Sequence, residues 1–117
     1  MQKNILITGC SSGLGLALTN YYLQKNYKVF GISRKKHDIT NTNFIHKSFD
    51  LSNISKIKEE LSTFILDIKE IDTVFLNAGM LGKIKILSEL SIQELNEVYT
   101  LNVYANKEIF DILMNTK

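Results

Sequence analysis

The segment ITGCSSGLGLAL, from Ile7 to Leu18, sets three glycines, a cysteine and two serines between two apolar runs. Upstream, Asn4 to Thr8 (NILIT) is a short isoleucine-rich run that reads as a buried strand. Downstream, Leu14 to Lys25 spaces Leu14, Ala17, Leu18, Tyr21 and Tyr22 along one helical face. A strand that passes through glycines into a helix brings bare backbone to a helix amino end. The free N–H groups there and their partial positive charge attract an anion, and missing Cβ atoms let it come close. The alternative is purely structural: Gly9 makes a tight turn, while Gly13 and Gly15 let helix and strand pack.

The rest of the chain repeats the alternation. Lys28 to Ser33 (KVFGIS) and Asn43 to Phe49 read as a second and a third, weaker strand. Ser52 to Glu70 reads as a helix with Ile54, Ile57, Leu61, Ile65 and Ile68 on one face. Asp72 to Gly79 is a fourth strand running into a turn. Ser91 and Glu94 form a capping box for a last helix that runs through Leu101 and Val103 to Leu113. Strand–helix–strand–strand–helix–strand–helix predicts an α/β fold: one parallel sheet with right-handed crossovers and helices on both faces. Ligands of such sheets sit beyond the carboxyl ends of the strands, where the glycines fall.

The 117 residues suit one domain, with 44% hydrophobic and 22% charged residues. A net charge of +2 gives no argument for nucleic acid or a membrane surface. The single cysteine, Cys10, excludes an internal disulfide and suits a reducing cytoplasm. No apolar run approaches the length of a membrane span. Neither His37, in a polar turn, nor His46, in a strand pattern, has a ligand-spaced partner, so no metal site is expected.

The glycine spacing is neither the G-x-G-x-x-G fingerprint nor an NTPase phosphate loop. With Thr8, Gly9, Gly13 and Gly15 it resembles the T-G-x-x-x-G-x-G of the short-chain dehydrogenase/reductase family. Three further matches follow in order: Asp50-Leu51 for the family's D-[VL], Asn77-Ala78-Gly79 for its N-A-G, and Asn102 for its helical asparagine. The resemblance spans essentially the whole chain and implies a Rossmann-type domain of sheet order 3-2-1-4. It also implies a nicotinamide cofactor held by Gly9, Ser11, Ser12, Gly13, Leu14 and Gly15 at the phosphates. Asp50 and Leu51 would lie at the adenine, and Asn77, Ala78 and Gly79 beneath the ribose.

Each match has a plainer reading. Ser11 or Ser12 is an N-cap, Asp50 caps the next helix, Asn77-Ala78-Gly79 is a turn, and Asn102 is a solvent-facing polar residue. A mid-helix asparagine is nonetheless mildly unfavourable. The resemblance gives Asn102 a catalytic part, holding a water that links the family's lysine to solvent.

Relatives that prefer NAD place an acid at the end of the second strand. Here Ser33 and Arg34 stand there, and a guanidinium beside a hydroxyl suits the 2′-phosphate of NADP(H). Lys35 adds attraction. The alternative is a solvated basic turn.

The family's chemistry also needs a serine after a fifth strand and a Tyr-x-x-x-Lys pair on a later helix, and the sequence ends at Lys117. The resemblance therefore implies the cofactor-binding half of an oxidoreductase, acting on a carbonyl or alcohol when complete and inactive by itself. A stand-alone nucleotide-binding or interaction module is the alternative. Tyr21 to Lys25 matches Y-x-x-x-K by pattern. It falls at the far end of the first helix, roughly 15 Å from the phosphate end, with Tyr21 expected in the core-facing stripe. Cys10 has no base beside it and is expected to be a spacer.

The fourth strand is expected to leave an apolar edge unpaired. The last helix is expected to leave Leu101, Ala105, Ile109, Ile112 and Leu113 without neighbours. Both predict a homodimer or larger assembly.

Overall fold

The computed structural model describes residues 2–36, 38–79 and 87–115. Four strands, β1 (Asn4–Thr8), β2 (Lys28–Ser33), β3 (Phe44–Ser48) and β4 (Thr73–Leu76), form one parallel sheet of order β3-β2-β1-β4. Ile7 pairs with Gly31 on one side and Phe75 on the other. Gly31 pairs in turn with His46. The expected strand order and direction are therefore those observed.

Alternation along the strands divides the core between two faces. Ile5, Ile7 and Val29 bury on one side with Phe44, Cys10 and Leu23 of helix α1 (Gly13–Gln24). Leu6, Phe30 and Ile32 bury on the other, beneath Ile57, Leu61 and Ile65 of helix α2 (Ile57–Leu66) and Ile109 and Ile112 of helix α4 (Ala105–Asn115). A salt bridge of 3.4 Å between Lys58 and Glu108 joins α2 to α4 at the surface. Helix α3 (Ile92–Tyr99) precedes α4 and buries none of its residues. Among the described residues, no helix is long and apolar enough to cross a membrane.

Three expectations need correction. The buried face of α1 is Gly15, Thr19 and Leu23, while Leu14 and Tyr21 are 66% and 52% exposed. Backbone approach selects that face: a Cβ on Gly15 would stand 1.8 Å from the Gly9 carbonyl oxygen, so the helix sits against the glycine turn on its smallest residue. The second helix is shorter than Ser52 to Glu70. It begins with a 3₁₀ turn at Ile54–Lys56 and ends at Leu66, although Ile68 beyond it is buried.

The third correction concerns the last helix. Its apolar face is not left in water: Ala105, Ile109, Ile112 and Leu113 are buried, because α2 and the sheet supply the neighbours. The exposed apolar side chains are instead Tyr99, Val103, Tyr104, Phe110 and Met114. β4 does lie at the sheet edge among the described residues. The helix also widens into a π turn over Thr100–Tyr104, between α3 and α4.

Candidate cofactor site

At the carboxyl ends of the strands lies a cavity of about 670 Å³. Of the residues expected in the site, Gly9, Ser11, Ser12, Ser33, Arg34, Asp50, Leu51, Ala78 and Gly79 line it. Gly15 and Asn77 lie behind this wall, and Gly13 and Leu14 are exposed at the start of α1. His37 lies outside the described residues.

The wall is knitted from the ends of β1 and β4. The buried Thr8 hydroxyl accepts a hydrogen bond from the Ala78 N–H at 3.0 Å. Asn77 Nδ2 donates to the Gly9 carbonyl at 3.3 Å. The Asn77-Ala78-Gly79 triplet thus holds the glycine turn in place as well as bordering the cavity. The turn's other side is tied to β2, where the Gly9 N–H donates to the Ile32 carbonyl at 2.8 Å.

Ser12 occupies the N-cap position of α1 in an extended conformation, but its hydroxyl makes no capping hydrogen bond. Gly13 has a φ of +53°, and nothing lies within 4 Å of where its Cβ would stand. An amino end without a side-chain cap, beside open space that only the absence of a side chain preserves, is a seat for an anion.

Two residues expected in the site are already engaged. Ser33 is 6% exposed, and its hydroxyl donates to the Lys35 carbonyl at 2.7 Å while lying 2.7 Å from His46 Nε2. Asp50 Oδ1 accepts from both the N–H and the hydroxyl of Ser52, at 3.0 and 2.7 Å. These bonds first, and the nearby Arg34 charge to a lesser degree, hold the Asp50 carboxyl below its usual range. Asp50 therefore shapes the turn into α2 and borders the cavity at once. Arg34 is exposed at the rim.

Asn102 sits in the π turn, with its Oδ1 3.0 Å from where a Gly79 Cβ would stand. Its backbone carbonyl accepts from Asn106 Nδ2 at 3.0 Å. The asparagine is thus packed on the N-A-G turn and is half-buried. A widened turn of this kind opens the backbone ladder and often marks a functional position.

Tyr21 and Lys25 do not line the cavity; the Lys25 ammonium instead lies 5.0 Å from the Tyr21 ring centre. Burial pushes the Cys10 thiol above its ordinary pKa, which suits packing and not nucleophilic attack. No group of three or more metal-ligating side chains occurs among the described residues.

One wall was missed from the sequence. Gln93, Asn96, Glu97 and Thr100 face the cavity from α3 and the turn after it. Their i, i+3, i+4, i+7 spacing is a polar stripe that an apolar-periodicity search passes over.

The short chain dehydrogenase family model matches residues 3–115. A benzil reductase ((S)-benzoin forming) of Bacillus subtilis is 34% identical over 104 residues, covering 86% of this chain and 43% of the relative. An NADPH-dependent 3-dehydrocapnine reductase of Ornithobacterium rhinotracheale is 30% identical over 114 residues, covering 90% of this chain and 40% of the relative. The crystal structure of a short chain dehydrogenase family protein from Francisella tularensis superposes with a TM-score of 0.87 at 28% identity, covering 99% of this chain and 47% of that one. The chain thus spans less than half the length of these relatives. Its strand order, glycine turn and N-A-G turn agree with the family match, and the chain belongs to the short-chain dehydrogenase/reductase family of oxidoreductases.

Proposed function

We propose that the chain is the NADP(H)-binding part of an oxidoreductase that moves a hydride between nicotinamide and a carbonyl or alcohol. One observation carries the reading. The turn after β2 presents Arg34 and no carboxylate at the rim of a cavity that also holds the open amino end of α1. A carboxylate there would repel a 2′-phosphate, whereas a guanidinium offers it two parallel donors. The Ornithobacterium relative, whose name specifies NADPH, adds support.

The residues present fit such a cofactor. The first N–H groups of α1, the space at Gly13, Ser11 and Ser12 receive the pyrophosphate. Asp50 and Leu51 border the adenine, Asn77, Ala78 and Gly79 pass beneath the second ribose, and Arg34 takes the 2′-phosphate. When bound, the nicotinamide would donate a hydride to a carbonyl or accept one from an alcohol. Asn102, which packs on Gly79, would orient a water at that end.

No tyrosine or lysine lines the cavity among the described residues. The acid/base pair of the reaction would come from sequence beyond this stretch. The same observation favours a second reading, a stand-alone nucleotide-binding or interaction module, for a protein that holds no such sequence. A cytoplasmic setting suits the buried, unpaired Cys10 thiol.

A homodimer or larger assembly is part of the proposal. It covers the β4 edge, the exposed side of the last helix at Tyr99, Val103, Phe110 and Met114, or both. Parallel titrations of the purified protein with NADPH and NADH test the cofactor assignment. Tighter binding of NADPH supports it; equal affinities or tighter NADH refute the part given to Arg34.

A further inference from the structure

Ser33 ends β2 with every hydrogen-bonding position of its hydroxyl in use. The group has one proton and two lone pairs. The proton goes to the Lys35 carbonyl, 2.7 Å away. The Cys10 thiol donates to one lone pair at 3.4 Å, which leaves the other for an N–H from His46 Nε2 at 2.7 Å. Proton counting therefore assigns His46 the Nε2–H form, and it leaves the Ser33 hydroxyl nothing to offer a ribose or its phosphate.

The same strand holds the next residue. β2 and β3 pair Gly31 with His46 and Ser33 with Ser48, so both β3 side chains stand on one face beside the end of β2. The Ser48 hydroxyl donates to the Arg34 carbonyl at 2.8 Å, and the Phe49 N–H donates to the Ser33 carbonyl at 3.0 Å. Three successive carbonyls, of Ser33, Arg34 and Lys35, are thus each tethered, two of them by side-chain hydroxyls. The tethered segment carries the exposed cations Arg34, Lys35 and Lys36.

We infer that β3, through His46 and Ser48, sets cofactor selectivity by fixing the backbone from which Arg34 meets a ribose 2′-phosphate. The inference rests on the cofactor reading above and deepens it. A guanidinium binds phosphate through a planar pair of donors, so its direction matters as well as its charge. A turn cut loose from β3 keeps the charge and loses the direction. His46 is a positioning residue: it touches Ser33, not the ligand. It also packs its ring 5.9 Å from that of Phe44.

The test reads the adenosine end alone, with 2′,5′-ADP and 5′-AMP as probes and calorimetric titration as the readout. The unaltered protein is expected to prefer the bisphosphate. His46→Ala is expected to narrow that preference roughly tenfold, about the worth of one hydrogen bond at the upper end of its range, with 5′-AMP affinity unchanged. His46→Phe keeps the ring without a donor and should match the alanine variant. His46→Gln carries an amide N–H at similar reach and should restore the preference. If His46→Ala does not fold, the Phe and Gln variants carry the comparison. Variants without the donor that keep the original preference, or that weaken both probes equally, overturn the inference. Loss of preference in Arg34→Ala alongside its retention in His46→Phe overturns the inference alone. An unaltered protein without preference overturns the cofactor reading and the inference with it.

Discussion

Two glycines about 3 Å of helix rise apart should fail in different ways when replaced, and the difference tests what the turn is for. At Gly13 a side chain meets nothing within 4 Å, so the internal cost of Gly13→Val is that of φ +53° for a non-glycine residue. That is about 1–2 kcal/mol, or a fall in melting temperature of roughly 4–8 °C at this chain length. The valine then fills the space assigned to the pyrophosphate. Hydrogen bonds to a charged group are worth about 1.5–3 kcal/mol each, so losing two lowers NADPH affinity by at least about a hundredfold.

At Gly15 the balance reverses. The Cβ of Gly15→Ala would stand 1.8 Å from the Gly9 carbonyl oxygen and 2.7 Å from Asn77 Nδ2. Helix and turn must part, at a cost of about 3 kcal/mol or more, which lowers the melting temperature by roughly 12 °C or more. Thermal unfolding and NADPH titration of both variants give the two readouts. A folded Gly13→Val protein that binds NADPH within about threefold of the unaltered one would refute the phosphate seat. A Gly15→Ala protein as stable as the original would refute the close approach.

Burial first, and the Lys36 charge second, hold the His46 pKa below 6.5. As pH falls below that value the unfolded chain takes up the proton first, so stability is full above it and is lost as pH falls through the folded value. His46→Gln should flatten that loss in thermal unfolding against pH, and parallel curves would contradict the assignment. With no tyrosine or lysine lining the cavity among the described residues, this chain is expected to oxidise no NADPH above background with aldehydes, ketones or quinones; turnover abolished by Tyr21→Phe would overturn that reading. Light scattering across a dilution series is expected to show a dimer or larger assembly, and a well-folded monomer at every concentration would refute the exposed-edge argument.

The strands were legible because β1 and β2 are short apolar runs whose residues alternate between the two sheet faces, whereas their order was legible only through the family resemblance. Helix α2 was legible at its core positions for the same reason: Ile57, Leu61 and Ile65 are buried as their spacing implied, and so is Ile68 just past the helix end. Helix α1 was misread because apolar spacing assumes that bulk packs inward. Its inward face is chosen by the approach of Gly15 to Gly9, which leaves Leu14 and Tyr21 outside.

The last helix shows a different limit. Its apolar face was found correctly, but pattern alone does not say what covers it, and α2 does. The π turn leaves no mark in residue spacing beyond an asparagine in mid-helix. The glycine and N-A-G elements were legible from their pattern. The engagement of Ser33 with His46 was not, because it depends on register across two strands that 10 residues separate only by number.

The central claim is that this domain distinguishes the two nicotinamide cofactors by the 2′-phosphate. Calorimetric titration of NADPH and NADH into the purified protein and into Arg34→Ala measures that distinction directly. The account predicts that NADPH binds more tightly, by about 1.5–3 kcal/mol, and that Arg34→Ala removes most of the difference by weakening NADPH alone. Equal affinities in the unaltered protein, or a preference that Arg34→Ala leaves intact, would contradict it.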